Sequence, residues 1–298
     1  MPFFSIILTT FNRMPVLKKA IDSVSSQTFQ NWELLIIDNH STDSTDEFLK
    51  TIKDKRVKIL KIHNNGFYVK SRNLGIKNSN ADWIAFIDSD DLWYKNKLQS
   101  CYNIIFKNNP DLIYHAVNYS SKRILKKKIK EKSKKILSPI TKNLLLDGNC
   151  IAQSSAVVKK KYLSRVNFFS EHENQFGWED YDAWIKISQI TEKFFFIKKP
   201  LGEIYFGPEN IGNLNITKTI LINFFFKYKN MAKRIYGIDF NKVWWFKYNQ
   251  ILIYYKLKNF NKIAFNLKNI PKCDIRFYLR FIIFKIISIL HKSIKNKK

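Results

Sequence analysis

Cysteine is nearly absent from this chain. Its 298 residues hold three, Cys101, Cys150 and Cys273, no two of them close in sequence. That spacing excludes a CxxC-type metal site and offers no disulfide framework, which suits a reducing compartment. Acids are also short: 24 Asp and Glu stand against 52 Lys and Arg, a formal net charge of +28. No uncharged apolar run reaches the roughly 18 to 20 residues needed to cross a bilayer. The opening Met1-Pro2-Phe3-Phe4-Ser5 has neither a basic leader nor a small-residue cleavage site, so no signal peptide is expected. The basic stretches carry no helix-turn-helix or RNA-binding signature, and charge alone does not predict nucleic-acid binding.

A hydrophobic content of 45% supports a buried core and argues against general disorder. The positive excess leaves an anionic membrane, an acidic substrate or simple compositional drift open, since Lys, Asn, Ile and Phe are abundant together.

Along the first hundred residues, strand-like and helix-like segments alternate. Phe4–Thr9 is a compact apolar run suited to a buried strand, and Pro15 fits the first turn of a helix through about Ser26. Glu33–Ile37, Val57–Ile62 and Trp83–Ile87 read as further strands, Lys70–Asn78 as a helix. Polar clusters follow three of these strands: Thr9–Arg13, Asp38 with the loop to Asp46, and Asp88–Asp91. Alternation of this kind predicts an α/β fold with a mostly parallel central sheet and helices on both faces. Ligands would then collect beyond the carboxyl ends of the strands.

Lys122–Lys135 is densely basic and reads as a solvated helix face or loop. From Ile220 the chain is helical in pattern and rich in Phe, Tyr, Ile and Lys. Arg276–Ile287 mixes apolar and basic residues, the composition of a helix lying on an anionic membrane surface or of a core helix with a basic tail.

Asp88-Ser89-Asp90-Asp91 is the sharpest chemical feature. Carboxylates crowded at a strand end repel unless a cation neutralises them, and hard divalent ions accept such groups together with phosphate oxygens. In isolation the tetrapeptide is equally a turn, because Asp and Ser favour turns. Glu179-Asp180 likewise reads on its own as acids in the first turn of a helix.

Taken together, these pieces resemble the family 2 glycosyltransferases, inverting enzymes of the GT-A fold. The matching segments are Ser5–Arg13, Ser26-Gln27-Thr28-Phe29, Trp32–Asp38, Ser41-Thr42-Asp43, Ser71–Ile76 and Trp83–Asp91, in the family's order and over residues 1 to about 95. The resemblance implies a GT-A domain over residues 1–215, with a nucleotide-binding half at 1–95 and an acceptor-binding half at 96–215. A helical, basic extension at 216–298 would meet the anionic membrane surface.

By the same resemblance Thr9, Phe11 and Arg13 surround the nucleotide, with Phe11 against the base. Asp38 accepts hydrogen bonds from the base, and Arg72 approaches the nucleotide or its phosphates. Asp88 faces the ribose or the metal's water shell, and Asp90 ligates a divalent Mn²⁺ or Mg²⁺. Asp91 either ligates or caps the next turn. Phe176–Ile185 resembles the family's Glu-Asp motif. Removal of the acceptor hydroxyl proton falls to Asp180 first and Glu179 second. Trp178 is placed to contact donor or acceptor, while Trp184 reads as helix core and His172 as a loop residue within reach of the diphosphate.

Departures also stand out. Asn39 and His40 replace an acid and a glycine usual in the family, and Tyr205–Asn210 lacks its Arg- and His-containing segment. The activity implied is inverting transfer from a nucleotide sugar, UDP-linked by family habit, to a glycan or lipid-linked acceptor. Such a step belongs to bacterial surface polysaccharide or glycoconjugate synthesis, on the inner face of the cytoplasmic membrane. The competing reading is a sugar-nucleotide or glycan binder without turnover.

Overall fold

The computed structural model describes residues 1–120, 133–172, 177–205 and 214–257, and beyond them only 259, 262, 263, 282, 283, 285 and 286. Most of the basic stretch 122–135, Phe176, the segment 206–210 and most of 276–287 lie outside the described residues.

The first half alternates as its pattern predicts. Strand β1 (Phe4–Thr10) leads to α1 (Met14–Ser25), β2 (Trp32–Asp38), α2 (Thr45–Lys50), β3 (Val57–Lys61), α3 (Tyr68–Lys77) and β4 (Trp83–Asp88). There follow β5 (Leu92–Trp93), α4 (Lys97–Asn108), β6 (Leu112–Ser120), α5 (Ile140–Asp147), β7 (Val157–Lys159), α6 (Lys160–Arg165), α7 (Glu179–Ser188) and β8 (Phe194–Tyr205). The strands form a sheet in the order β3-β2-β1-β4-β7-β6-β8-β5. Four of the seven pairings are parallel, so the expected α/β architecture with a mostly parallel sheet is the one adopted.

Burial explains the strand sequences. Every residue of β2 is buried, as for a strand covered on both faces. On one face Ile6, Leu8, Leu34 and Ile36 pack with Leu17, Ala20, Ile21 and Val24, the apolar stripe of α1 at helical spacing. The other face carries α3. A Cβ on Gly75 would sit 2.7 Å from Ile37 Cδ1 and 2.9 Å from Ile7 Cγ2, so glycine is what lets this helix approach the sheet.

Register brings the polar clusters level. Thr10 pairs with Asp38 and Thr9 with Asp88, so the loops leaving β1, β2 and β4 emerge along one edge of the sheet.

The chain divides into two compact units: Met1–Ile140 with Asn149–Asn210, and Thr141–Gly148 with the chain from Ile211 onward. The second contains α8 (Leu214–Tyr236) and α9 (Trp244–Lys256). Trp245 is its centre: the indole Nε1 donates to Leu145 O at 2.9 Å, and Phe224 meets the ring edge-on at 5.6 Å. A Cβ on Gly148, at φ +82°, would stand 3.2 Å from Cγ of the same ring. Among the described residues no helix is long and apolar enough to cross a membrane.

Candidate active site

The loop after β1 is sewn to the loop after β2. Asn12 takes a left-handed φ of 50°, which Asn tolerates better than most residues. Its Oδ1 accepts from Thr42 N at 2.7 Å, its Nδ2 donates to Thr42 Oγ1 at 3.2 Å, and its backbone N–H donates to Ser41 Oγ at 2.9 Å. Asp38, fully buried at the end of β2, accepts from Ser41 Oγ at 2.6 Å. Thr9 is half-buried beside these loops, and Phe11 leaves half of its surface exposed. Arg13 Nη1 reaches Asp90 Oδ2 at 3.1 Å.

Arg72 joins the two acidic motifs. It projects from α3, is buried, and donates from Nη2 to Asp88 Oδ1 at 2.7 Å and from Nη1 to Glu179 Oε1 at 2.8 Å. Its guanidinium also lies 4.6 Å from the centre of the Tyr68 ring. Burial, then the nearby Glu179 charge, holds the Tyr68 phenol well above its ordinary pKa.

Glu179 and Asp180 are adjacent but differently placed. Glu179 is buried, and its second oxygen accepts the Gly177 N–H at 2.7 Å. Gly177 sits at φ +91°, a conformation that glycine alone adopts readily. Asp180 is half-buried at the start of α7 and accepts from Tyr181 N at 2.6 Å and from Asn149 Nδ2 at 3.2 Å. Burial first, then the charge of Glu179, pushes its pKa up to about 7, against the opposing pull of Arg72 and its two hydrogen bonds.

In the acidic loop, Asp88 and Asp90 are half-buried whereas Asp91 is buried. Asp91 accepts from Ser154 Oγ and from Tyr205 N at 3.0 Å, and burial followed by the Asp88 charge raises its pKa well above the carboxylate range. Its carboxylate is therefore tied inward, to the segment before β7 and to the end of β8. Ser154 is the hub: its hydroxyl also accepts the Asp88 N–H at 3.0 Å. Its carbonyl takes Trp93 Nε1 at 2.9 Å and the fully buried Lys97 Nζ at 2.7 Å. Burial drives the Lys97 ammonium well below its ordinary pKa.

Trp178 is half-buried, with its ring edge-on to Tyr181 at 5.9 Å. Trp184 is wholly buried against Phe86 and Phe169, a core residue as its pattern suggests. His172 is exposed.

The geometry thus assembles Asp88, Arg72, Glu179 and Asp180 in one run of contacts, and Arg13 with Asp90 beside it. Sequence reasoning did not single out Asn149, Ser154 or Tyr68. Asn12 lies inside the segment Ser5–Arg13, but its role in holding the 41–43 loop has no sequence signal of its own.

Among the described residues no three His, Cys, Asp or Glu side chains gather into a ready-made cage. Mg²⁺ and similar ions use one or two carboxylates and complete their shell with water and substrate phosphate. Two half-buried carboxylates at a strand end, Asp88 and Asp90, fit that demand.

An α/β sheet with its acidic and basic side chains at one strand edge is the arrangement of the GT-A glycosyltransferases. The fold superposes on S. aureus TarS 1–349, solved with UDP-GlcNAc, at a TM-score of 0.60 and 17% identity, over 76% of this chain and 67% of that one. The family model for Glycosyl transferase family 2 matches residues 5–166, more than half of the chain, and the chain belongs to this family. An Escherichia coli relative is the UDP-Glc:alpha-D-GlcNAc-diphosphoundecaprenol beta-1,3-glucosyltransferase WfgD, 31% identical over 61% of this chain and 68% of its own. An uncharacterized glycosyltransferase of Rickettsia conorii is 34% identical over 73% of this chain, which spans only 37% of that relative's length.

Proposed function

We propose that this chain transfers a sugar from a UDP-linked donor to a hydroxyl of a glycan or lipid-linked glycan, with inversion at the anomeric carbon. The observation that carries this reading is the contact of Arg72 with both Asp88 and Glu179, which sets the acidic strand-end loop beside the first turn of α7. Membership of family 2 and the likeness to WfgD support it.

In this reading Phe11 packs against the base, Asp38 and Thr9 border it, and Arg13 and Arg72 keep positive charge near the phosphates. Asp88 and Asp90 would hold a divalent Mn²⁺ or Mg²⁺. When bound, the ion neutralises charge on the departing diphosphate. Asp91 braces the loop rather than ligating, because both of its oxygens accept protein hydrogen bonds, one from Ser154 Oγ and one from Tyr205 N.

Asp180 takes the acceptor proton. Burial keeps it basic enough to do so near neutral pH, and Asn149 and the Tyr181 N–H hold its orientation. Glu179 is a poorer base, since Arg72 and the Gly177 N–H occupy its two oxygens. Trp178 lines the acceptor side.

The extension from 216 onward would keep the chain on an anionic membrane, where lipid-linked acceptors reside. Helix α8 supports this: it has no Asp or Glu, carries Lys218, Lys227, Lys229, Lys233 and Arg234, and exposes Ile222 and Phe226.

The test is nucleoside diphosphate release from a panel of sugar nucleotides, with Mn²⁺, Mg²⁺ or EDTA, alongside Asp90→Ala. Metal-dependent release from one donor, lost in Asp90→Ala, is expected. Failure of the wild-type chain to bind UDP or any sugar nucleotide overturns the reading.

A further inference from the structure

Gln153 is the residue whose chemistry the fold leaves unanswered. It is 8% exposed, and among the described residues neither its Nε2 nor its Oε1 has a hydrogen-bond partner. Several other buried side chains have one such atom, the Thr10 hydroxyl among them; among the described residues Gln153 alone has two, one at each end of its amide. Because both ends are unmet, the observation does not depend on which way the amide is turned. A buried amide with no partner costs free energy that a fold does not retain without return.

Its neighbours indicate where the return comes from. Gln153 lies in the segment Asn149–Ser155 that enters β7. At one end Asn149 Nδ2 donates to Asp180, and at the other Ser154 Oγ accepts the Asp88 N–H and contacts Asp91. This one segment therefore touches both acidic groups between which a donor sugar has to sit. A sugar's vicinal hydroxyls are each donor and acceptor, the complement of a primary amide whose Nε2 donates and whose Oε1 accepts.

We infer that Gln153 binds the donor sugar through two adjacent hydroxyls, or through a hydroxyl and an N-acyl group, and so selects which sugar is transferred. This rests on the sugar-nucleotide reading above. A polar pocket that pairs such groups rejects a sugar lacking them more strongly than apolar contact can, since the unpaired amide is left buried.

The experiment is isothermal titration of the full chain with UDP, UDP-glucose and UDP-GlcNAc in the presence of Mn²⁺, for the wild type, Gln153→Met and Gln153→Glu. Gln153→Met keeps the length of the side chain and removes both polar ends. The expected result is UDP affinity within about twofold of wild type and a loss of about tenfold or more for the preferred sugar nucleotide. Gln153→Glu, which keeps the acceptor and removes the donor, should alter the ratio between the two sugars. If UDP and sugar-nucleotide affinities move together, or neither moves, the inference is overturned and the amide holds only water. Should Gln153→Met not fold, Gln153→Asn carries the same comparison. A wild-type chain that binds none of the three ligands overturns the underlying reading instead.

Discussion

Arg72 Nη1 lies 2.8 Å from Glu179 Oε1, bonding α3 to α7 across 107 residues of chain. Both side chains are buried, so each is the other's counter-ion out of reach of bulk water. Removing one partner of a buried pair leaves an uncompensated ion, at a cost of about 3–5 kcal/mol. Arg72→Met should therefore lower stability by roughly that amount in denaturant titration. Arg72→Lys should cost less but still reduce activity, because an ammonium cannot reach Asp88 and Glu179 together as the guanidinium fork does. The double variant Arg72→Met/Glu179→Leu should recover most of the stability and none of the activity. Recovery of activity would show that the pair is structural only.

Asp180 gives a pH signature. Its folded pKa, pushed up to about 7, lies above the ordinary value of 3.8. As a base it works deprotonated, so acceptor-dependent turnover should rise as pH passes through about 7 and then level off. Asp180→Asn should lower turnover by about 10²- to 10⁴-fold and abolish that rise. The sign for stability is the reverse. Between 3.8 and about 7 the folded state binds the proton more readily than the unfolded one, so this group's contribution falls with rising pH across that window. Asp180→Asn should then melt no lower than wild type at pH 8. A flat pH profile in the wild type would transfer the role to another group.

Gly75→Ala tests how tightly α3 is seated. Alanine favours the helix by about 0.8–1 kcal/mol over glycine. Its methyl, however, would stand 2.7 Å from Ile37 Cδ1 and 2.9 Å from Ile7 Cγ2, and both isoleucines are buried. Overpacking a closed core costs about 1–3 kcal/mol, so the net change should be destabilising. Ile37→Val removes the nearer methyl and should restore part of the loss, measured as the shift in urea midpoint. Stabilisation by Gly75→Ala alone would mean that the sheet yields at this point.

How much of this was legible beforehand follows from element length and residue type. β1, β2 and β4 are long apolar runs ended by polar residues, so their positions and the three strand-end clusters were readable within a residue or two. β5 and β7 were not, because two and three residues carry no periodicity. The attachment of Thr141–Gly148 to the C-terminal unit rests on Trp245, about a hundred residues away, which no local pattern marks. The acids on their own read equally as a turn and as the first turn of a helix, and it is the resemblance to family 2 that marks them as site residues. Their supports, Asn149 and Ser154, are ordinary polar residues whose importance lies only in what the fold brings to them.

Helix α8 should bind an anionic membrane surface. With Lys229 and Lys233 on the face that exposes Ile222 and Phe226, and no acid along the helix, adsorption to anionic bilayers should combine apolar insertion with electrostatic attraction. Each basic residue near such a surface is worth about 1 kcal/mol. Lys229→Gln with Lys233→Gln should accordingly weaken partitioning by roughly 30-fold. The measurement is co-sedimentation with phosphatidylglycerol vesicles against phosphatidylcholine vesicles at two salt concentrations. Binding should favour the anionic lipid and fall with salt, because the attraction is screened over about 10 Å at 0.1 M. Equal binding to both lipids would leave the apolar residues as the whole cause, and no binding to either would remove the membrane from the proposed function.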